Sequence, residues 1–240
     1  MSKLAISIQT TPHDRAMDFI YDYKVPGNYK DQDKIDAYLQ KKREEFLENK
    51  APFDALAAEI VMVSLVAQDE PGKTPHHFIL NSAVDGCATD EVEGPSTFSF
   101  FQEEKDLLVA VLDLLRAGAM TKVTSHNLHK FVLPMLLRRA WRANIINGVS
   151  FITPDGRYYD QWKFFDTMNA WSLGITGDEF VSLEKLANHL RIFALSGETP
   201  KAMTEPETTL DRLKSNFAET VEDIEEMLKI QLLVAERIGF

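Results

Sequence analysis

The stretch Leu4-Ala5-Ile6-Ser7-Ile8-Gln9-Thr10-Thr11-Pro12 decides the reading of this chain. Apolar residues alternate there with small or polar ones, and the run ends against a proline. That pattern reads as a buried strand, residues 3–9, opening into a loop.

Working outward, Ile60 to Ala67 forms a second buried strand, dense in β-branched residues. His76 to Asn81 reads as its hairpin partner, with Asp69 to Lys73 and its Pro71-Gly72 pair supplying the turn. Between the first two strands, residues 13–52 are polar and charged. They break at Pro26-Gly27 and contain a helix from about Lys30 to Asn49, with Ile35, Tyr38, Leu39 and Phe46 on one face. Residues 82–97, rich in Asp, Gly and Ser, read as a loop. Glu103 to Ala117 has Leu107, Leu108, Val111, Leu112 and Leu115 at helical spacing. Val123 to His126 reads as a short strand, and Phe131 to Asn144 as a helix. Phe151 to Lys163 is turn-rich, Phe165–Leu173 and Leu183–Leu190 are helical in pattern, and residues 193–209 form a Pro/Thr/Glu loop. One long helix, Leu210 to Ile238, closes the chain. Interleaved strands and helices favour an α/β layer architecture.

With 240 residues, the chain fits one large domain spanning 1–240, with 13–52 as a helical insert after the first strand. No apolar run is long enough to span a membrane and no signal pattern opens the chain, so a cytoplasmic setting is expected. The single Cys87 excludes an internal disulfide and a cysteine-built zinc site, and reads as incidental. The net charge of −11 argues against phosphate binding by the chain as a whole, since neutralising phosphates is what drives nonspecific affinity.

Several separated segments resemble one family, the predicted exonucleases related to the exonuclease domain of PolB, within the DnaQ-like 3′–5′ exonucleases. The first strand is similar to that group's Asp-Ile-Glu-Thr strand, with Ser7 and Gln9 at the acidic positions. Pro26-Gly27-Asn28-Tyr29-Lys30-Asp31, followed by Lys34-Ile35 and Ala37-Tyr38, resembles its insert motif. Phe53-Asp54-Ala55 running into Ile60 to Leu65 resembles its second strand. His126-Asn127-Leu128-His129-Lys130-Phe131-Val132-Leu133-Pro134, with Leu136, Leu137, Arg139 and Ala140, resembles its histidine-asparagine motif. Phe165 to Met168, Ser182 to Ala187, Asp223-Ile224 and Ala235 to Phe240 are similar to the segments that follow, in the same order.

The resemblance implies a ribonuclease H-like fold, a mixed sheet of about five strands flanked by helices. It also implies a chemistry of four carboxylates and two divalent metals, Mg²⁺ or Mn²⁺, one activating water and the other stabilising the leaving oxygen. Such hard cations need anionic oxygen ligands. By motif matching the four positions are Ser7, Gln9, Val132 and Asp223, and only Asp223 is acidic. The general base would fall at Glu219 or Ala218, and the Lys of a Gly-Lys turn near Ala194; neither base nor lysine is present. The implied function is therefore a catalytically degenerate exonuclease homologue serving as a nucleic-acid-binding or protein-binding accessory subunit. A weak metal-dependent 3′–5′ exonuclease and a pure interaction scaffold are the alternatives. No resident cofactor is expected, and Mg or Mn enters only with residual activity.

Other residues carry two readings each. Asp223, near Glu219, Glu222, Glu225 and Glu226, is a remaining metal ligand or part of a solvated face. Asp166 is a structural cap or a substitute ligand, and Asp14 and Asp18 could turn inward from just past the first strand. His126 and His129 lack a third ligand at zinc spacing, which favours surface or turn roles. Lys130, Arg138, Arg139 and Arg142, with Asn127, form the best basic cluster for a single-stranded DNA 3′ end, or else a solvated face. Trp141, Trp162 and Trp171 read as core or interface anchors. The expected partners are nucleic acid, a protein or a second copy of the chain, and no membrane.

Overall fold

The fold comes from a computed structural model that describes residues 3–20, 23–67, 74–84, 95–117, 121–145, 151–153, 159–160, 162–173, 180–193, 199–204 and 209–240. Cys87, the turn at Asp69 to Lys73 and the Ala194 position lie outside the described residues. Six strands form one sheet: β1 Lys3–Pro12, β2 Ala58–Ala67, β3 His76–Leu80, β4 Thr97–Phe101, β5 Lys122–Ser125 and β6 Phe164–Asp166. Their order is β4-β3-β2-β1-β5-β6. β1, β2 and β3 pair antiparallel, whereas β4, β5 and β6 join parallel to their neighbours. The helices are α1 Gln32–Asn49, α2 Glu104–Ala117, α3 Leu133–Arg142, α4 Thr167–Trp171, α5 Leu183–His189, α6 Lys201–Thr204, α7 Thr209–Ser215 and α8 Phe217–Arg237. This is the mixed α/β architecture expected, with six strands in place of about five. No described helix is long and apolar enough to cross a membrane.

Two strands were hidden in the sequence. β4 is five residues at the sheet edge, of which only Thr97 falls in the expected loop over 82–97 and the rest carry no expected element; it pairs with β3 from His76↔Thr97 to Leu80↔Phe101. β6 was read as the first turn of a helix. Its three residues instead extend β5 in parallel, and Asp166 then caps α4 by accepting from Met168 N and Asn169 N. The closing helix is also divided: Asn216, at φ −150° and ψ 75°, separates α7 from α8.

The alternation in β1 is kept: Ile6 and Ile8 are buried in the main core, as are Val63 and Leu65 of β2. α2 adds Leu107, Leu108, Val111, Leu112 and Leu115, each almost wholly removed from water. Burying such side chains stabilises the fold by about 1.5–3 kcal/mol apiece. α1 contributes little to that core. Among its residues only Phe46 is buried, in a satellite cluster with Ala16, Ala51 and Ala57.

α2 and α3 are joined by a buried ion pair. Arg139 Nε donates to both carboxylate oxygens of Glu104, at 2.8 and 3.1 Å, and Nη2 donates to Oε2. Arg139 Nη1 reaches the carbonyl of Ala55 at 3.3 Å, while Glu104 accepts from the amide of Ile60 at 2.7 Å. Arg139 is 5% exposed, so its place in a nucleic-acid-binding surface is corrected: it clamps two helices to the start of β2.

Breaking one side of a buried pair strands the other charge. Arg139→Met is expected to lower stability by about 3–5 kcal/mol in urea unfolding, and adding Glu104→Met to recover most of that loss. Equal stability of the single variant and the native chain would refute the clamp.

Candidate functional site

Pairing of β1 with β2 sets Ser7 opposite Ser64, and pairing of β2 with β3 sets Ser64 opposite His77. Directly opposed residues point to the same side, so a line of polar side chains crosses one face of the sheet. At its end His77 is wholly buried. His77 Nε2 lies 2.9 Å from Glu225 Oε1 of α8, and Nδ1 lies 3.0 Å from Ser64 Oγ. A carboxylate can only accept, so Nε2 donates to Glu225, while Nδ1 and the Ser64 hydroxyl share the second hydrogen bond. Ser96 donates to the same Glu225 oxygen, and Lys229 Nζ stands 3.8 Å from the other.

Six positions along α8, about 240° around its axis, Gln231 leaves a different flank and lines a cleft of about 460 Å³. β1 supplies Ser7 and Gln9, the end of β5 supplies Ser125, and Val132 comes from a wide π-type turn over Leu128–Val132. α8 adds Met227 beside Gln231, and α6 adds Ala202 and Met203. Phe53 and Phe180, both more than half exposed, line the outer part with Phe131. The rings of Phe53 and Phe131 lie 5.6 Å apart, centre to centre.

The polar groups of the cleft are neutral. Gln9 Nε2 donates to Ser7 Oγ at 3.0 Å, and Gln231 Nε2 donates to Ser125 Oγ at 3.2 Å. The Oε1 atoms of both glutamines are buried without a partner among the described residues. His126, also on the lining, donates through Nε2 to the Val181 carbonyl at 2.7 Å, and its Nδ1 lies 2.9 Å from Thr167 Oγ1. Burial pushes the His126 pKa down. Among the described residues, no Asp, Glu, Lys or Arg lines the cleft.

The structure therefore brings Ser7, Gln9 and Val132 together but leaves Asp223 and Glu219 outside. Asp223 lies one helical turn before Met227. Its Oδ1 accepts from Lys201 N at 2.7 Å, and its Oδ2 from Ala202 N at 2.6 Å and Arg212 Nη1 at 3.0 Å. It caps α6 and ties down α7, with α6 providing Ala202 and Met203 to the cleft wall. Glu219 is exposed and accepts from Lys201 Nζ at 3.2 Å and from Asn216 Nδ2. Asp166 is a cap that also accepts from His129 N at 2.8 Å. Asp14 and Asp18 are exposed, and Asp18 pairs with Arg15.

The basic cluster divides. Lys130 and Arg138 are exposed, Arg139 is internal, and Arg142 donates to the Leu56 carbonyl at 3.1 Å beside His13. Asn127 stands at φ 61°, in the left-handed region, where the chain turns from β5 into the π-type turn. None of the three tryptophans belongs to the core: Trp141 and Trp162 are well exposed and Trp171 borders on exposure. Gln231, Met227 and the Ser64–His77–Glu225 chain were not singled out from the sequence. A lone Gln inside Leu228–Leu233, four residues from Met227, was the available signal.

The DNA polymerase family B exonuclease domain matches residues 36–162, more than half of the chain. The chain belongs to that family. The matched span of this family B exonuclease domain includes Val132 but neither β1 nor α8, so Ser7, Gln9 and Asp223 are placed by motif and geometry alone. Among solved structures, the domain resembles the family B DNA polymerase from the hyperthermophilic archaeon Pyrobaculum calidifontis. The TM-score is 0.54 and the identity 13%, covering 99% of this chain and 24% of that polymerase. At that identity the likeness speaks for the fold alone. No curated protein matches the chain.

Burial pushes the Glu225 carboxyl up, but hydrogen bonds from His77 and Ser96, with the nearby Lys229, outweigh it and hold its pKa below the ordinary 4.5. A depressed carboxyl contributes stability that is fully present above its unfolded value and is lost as pH falls through the folded one. The stability advantage of this exonuclease-family domain over a Glu225→Gln variant is expected to be constant above pH 4.5 and to shrink below it, read by urea unfolding across pH. A gap independent of pH would contradict that account.

Proposed function

We propose that this chain is a non-catalytic member of the family that works by binding, as an accessory module beside a DNA-processing partner in the cytoplasm. The observation that carries this reading is the uncharged cleft. Two hard divalent cations need several anionic oxygens within reach. The donors on the described lining are all neutral, the hydroxyls of Ser7, Thr10, Ser125 and Ser182, the already engaged His126 ring and two carboxamide oxygens; Val132 and Met227 offer none to a hard cation. Such a set does not fit a metal pair. Among the described residues, no group of three His, Cys, Asp or Glu side chains is placed to hold a metal ion.

A protein partner, or a second copy of the chain, is favoured over nucleic acid. The net charge is −11, and Arg139 and Arg142 are engaged within the fold. Exposed Phe53, Leu56 and Phe180 supply apolar anchors for an interface. Exposed Lys130 and Arg138 favour a second reading, binding of a single-stranded DNA 3′ end, which would weaken steeply with salt.

Calorimetric titration of Mn²⁺ into the native chain and into Asp223→Ala tests the proposal. No saturable heat is expected from either, while Asp223→Ala melts at a lower temperature because α6 and α7 lose their tie. Saturable Mn²⁺ binding that Asp223→Ala abolishes would restore the exonuclease alternative. Binding of single-stranded DNA at low salt, lost as salt is raised, would put the second reading first.

A further inference from the structure

We propose that the cleft binds an uncharged planar heterocycle whose edge sets a hydrogen-bond donor beside an acceptor, the chemistry of a nucleobase carried without phosphate. This rests on the non-catalytic reading, because metal ions and their ligands would otherwise fill the floor of the cleft.

The argument begins with two carboxamides. Gln231 is 3% exposed and Gln9 Oε1 is buried, yet each side chain has one hydrogen-bonded end and one unmatched end. Turning either amide over does not help. A serine hydroxyl can donate as well as accept, so the flip exchanges an unmatched carbonyl for an unmatched NH₂. An unmatched buried polar group costs about 1–3 kcal/mol, and a ligand that completes it offsets that cost on binding. A carboxamide presents donor and acceptor side by side, the geometry by which Gln reads the edge of adenine.

Charge and shape narrow the ligand further. With no Asp, Glu, Lys or Arg among the described lining residues, a phosphate entering the cleft would lose water and gain no counter-charge. Phe53, Phe131 and Phe180 offer flat apolar surface, and Met203 and Met227 offer thioethers, which pack well against aromatic rings. A volume of about 460 Å³ falls within the range of small-molecule sites, roughly 300–1,000 Å³. A lone carboxamide side chain from a partner protein would leave most of it unfilled.

The test follows the methyl resonances of Met203 and Met227 while adenosine, guanosine, cytidine and thymidine are titrated separately. At least one nucleoside is expected to shift both methyls saturably. Its 5′-monophosphate, and a short single-stranded oligonucleotide carrying the same base, should bind at least about tenfold more weakly. Gln231→Met keeps the side-chain length and should weaken nucleoside binding by at least about tenfold. Gln9→Met, at a partly exposed position, serves as an independent variant with the same expected loss. No methyl shift with any nucleoside at millimolar concentration overturns the proposal, as does undiminished binding in both variants. Equal or tighter binding of the oligonucleotide overturns it in favour of a strand as occupant. Mn²⁺ added alone separates the two failures: selective broadening of these methyls sinks the non-catalytic reading, whatever the nucleosides do.

Discussion

Helix α8 packs against a sheet that is not uniformly apolar, and that constraint organises the molecule. Ser7, Ser64 and His77 lie in line across three strands, and His77 and Ser64 are completely buried. Polar groups removed from water must find partners inside the protein, and the helix must therefore bring them. Glu225 does so from one flank through His77, and Gln231 from another through Ser125. An apolar helix could slide or rotate over a sheet with small energetic change. One that makes two directional contacts from different flanks has its rotation and its register set together.

That register decides what reaches the cleft. With Glu225 on His77 and Gln231 on Ser125, the α8 residues that line the cleft are Met227 and Gln231. Asp223, one turn earlier, falls beside α6 and satisfies the amides of Lys201 and Ala202. The only acid that motif matching assigned to the site is thus engaged by the same packing that fixes the helix. Moving it into the cleft would uncap α6, release Arg212 of α7 and pull Glu225 off His77. Its exclusion is a property of the whole helix and its neighbours.

The elements whose apolar pattern is long or regular were legible in the sequence. β1 follows its alternation, β2 its unbroken apolar run and α2 its helical stripe, and the family resemblance carried the fold class. β4 and β6 are not legible because Thr97–Phe101 follows a loop-like stretch without alternation and Phe164–Asp166 runs straight into a helical pattern; what makes them strands is a parallel neighbour distant in sequence. The site was half legible. Ser7, Gln9 and Val132 line one cleft, although Val132 closes a π-type turn over Leu128–Val132 and not, as expected, the start of a helix over 131–144. Arg139 was misplaced because adjacent positions on a helix diverge by about 100°: Arg138 faces water while Arg139 turns inward to a glutamate 35 positions away in sequence. No local pattern encodes that partner.

A cluster of carboxylates around two metal ions is stable only as a complete set. Each acid is tolerated because the cations neutralise it, and each cation is held because several acids surround it. Removing one ligand weakens the metal, and without metal the remaining acids repel one another in a partly buried cleft. Neutral replacement at one position therefore lowers the cost of neutral replacement at the next. The Ser7–Gln9 and Ser125–Gln231 pairs are self-consistent without charge, each serine hydrogen-bonded to a carboxamide where charge would be expensive. Placing an aspartate at Ser7 alone would put an uncompensated charge among neutral groups, with the Gln9 amide to donate to it but no cation beside it. A single acid would thus destabilise the cleft without rebuilding a metal centre, and the uncharged lining works as a unit, as the charged one would have.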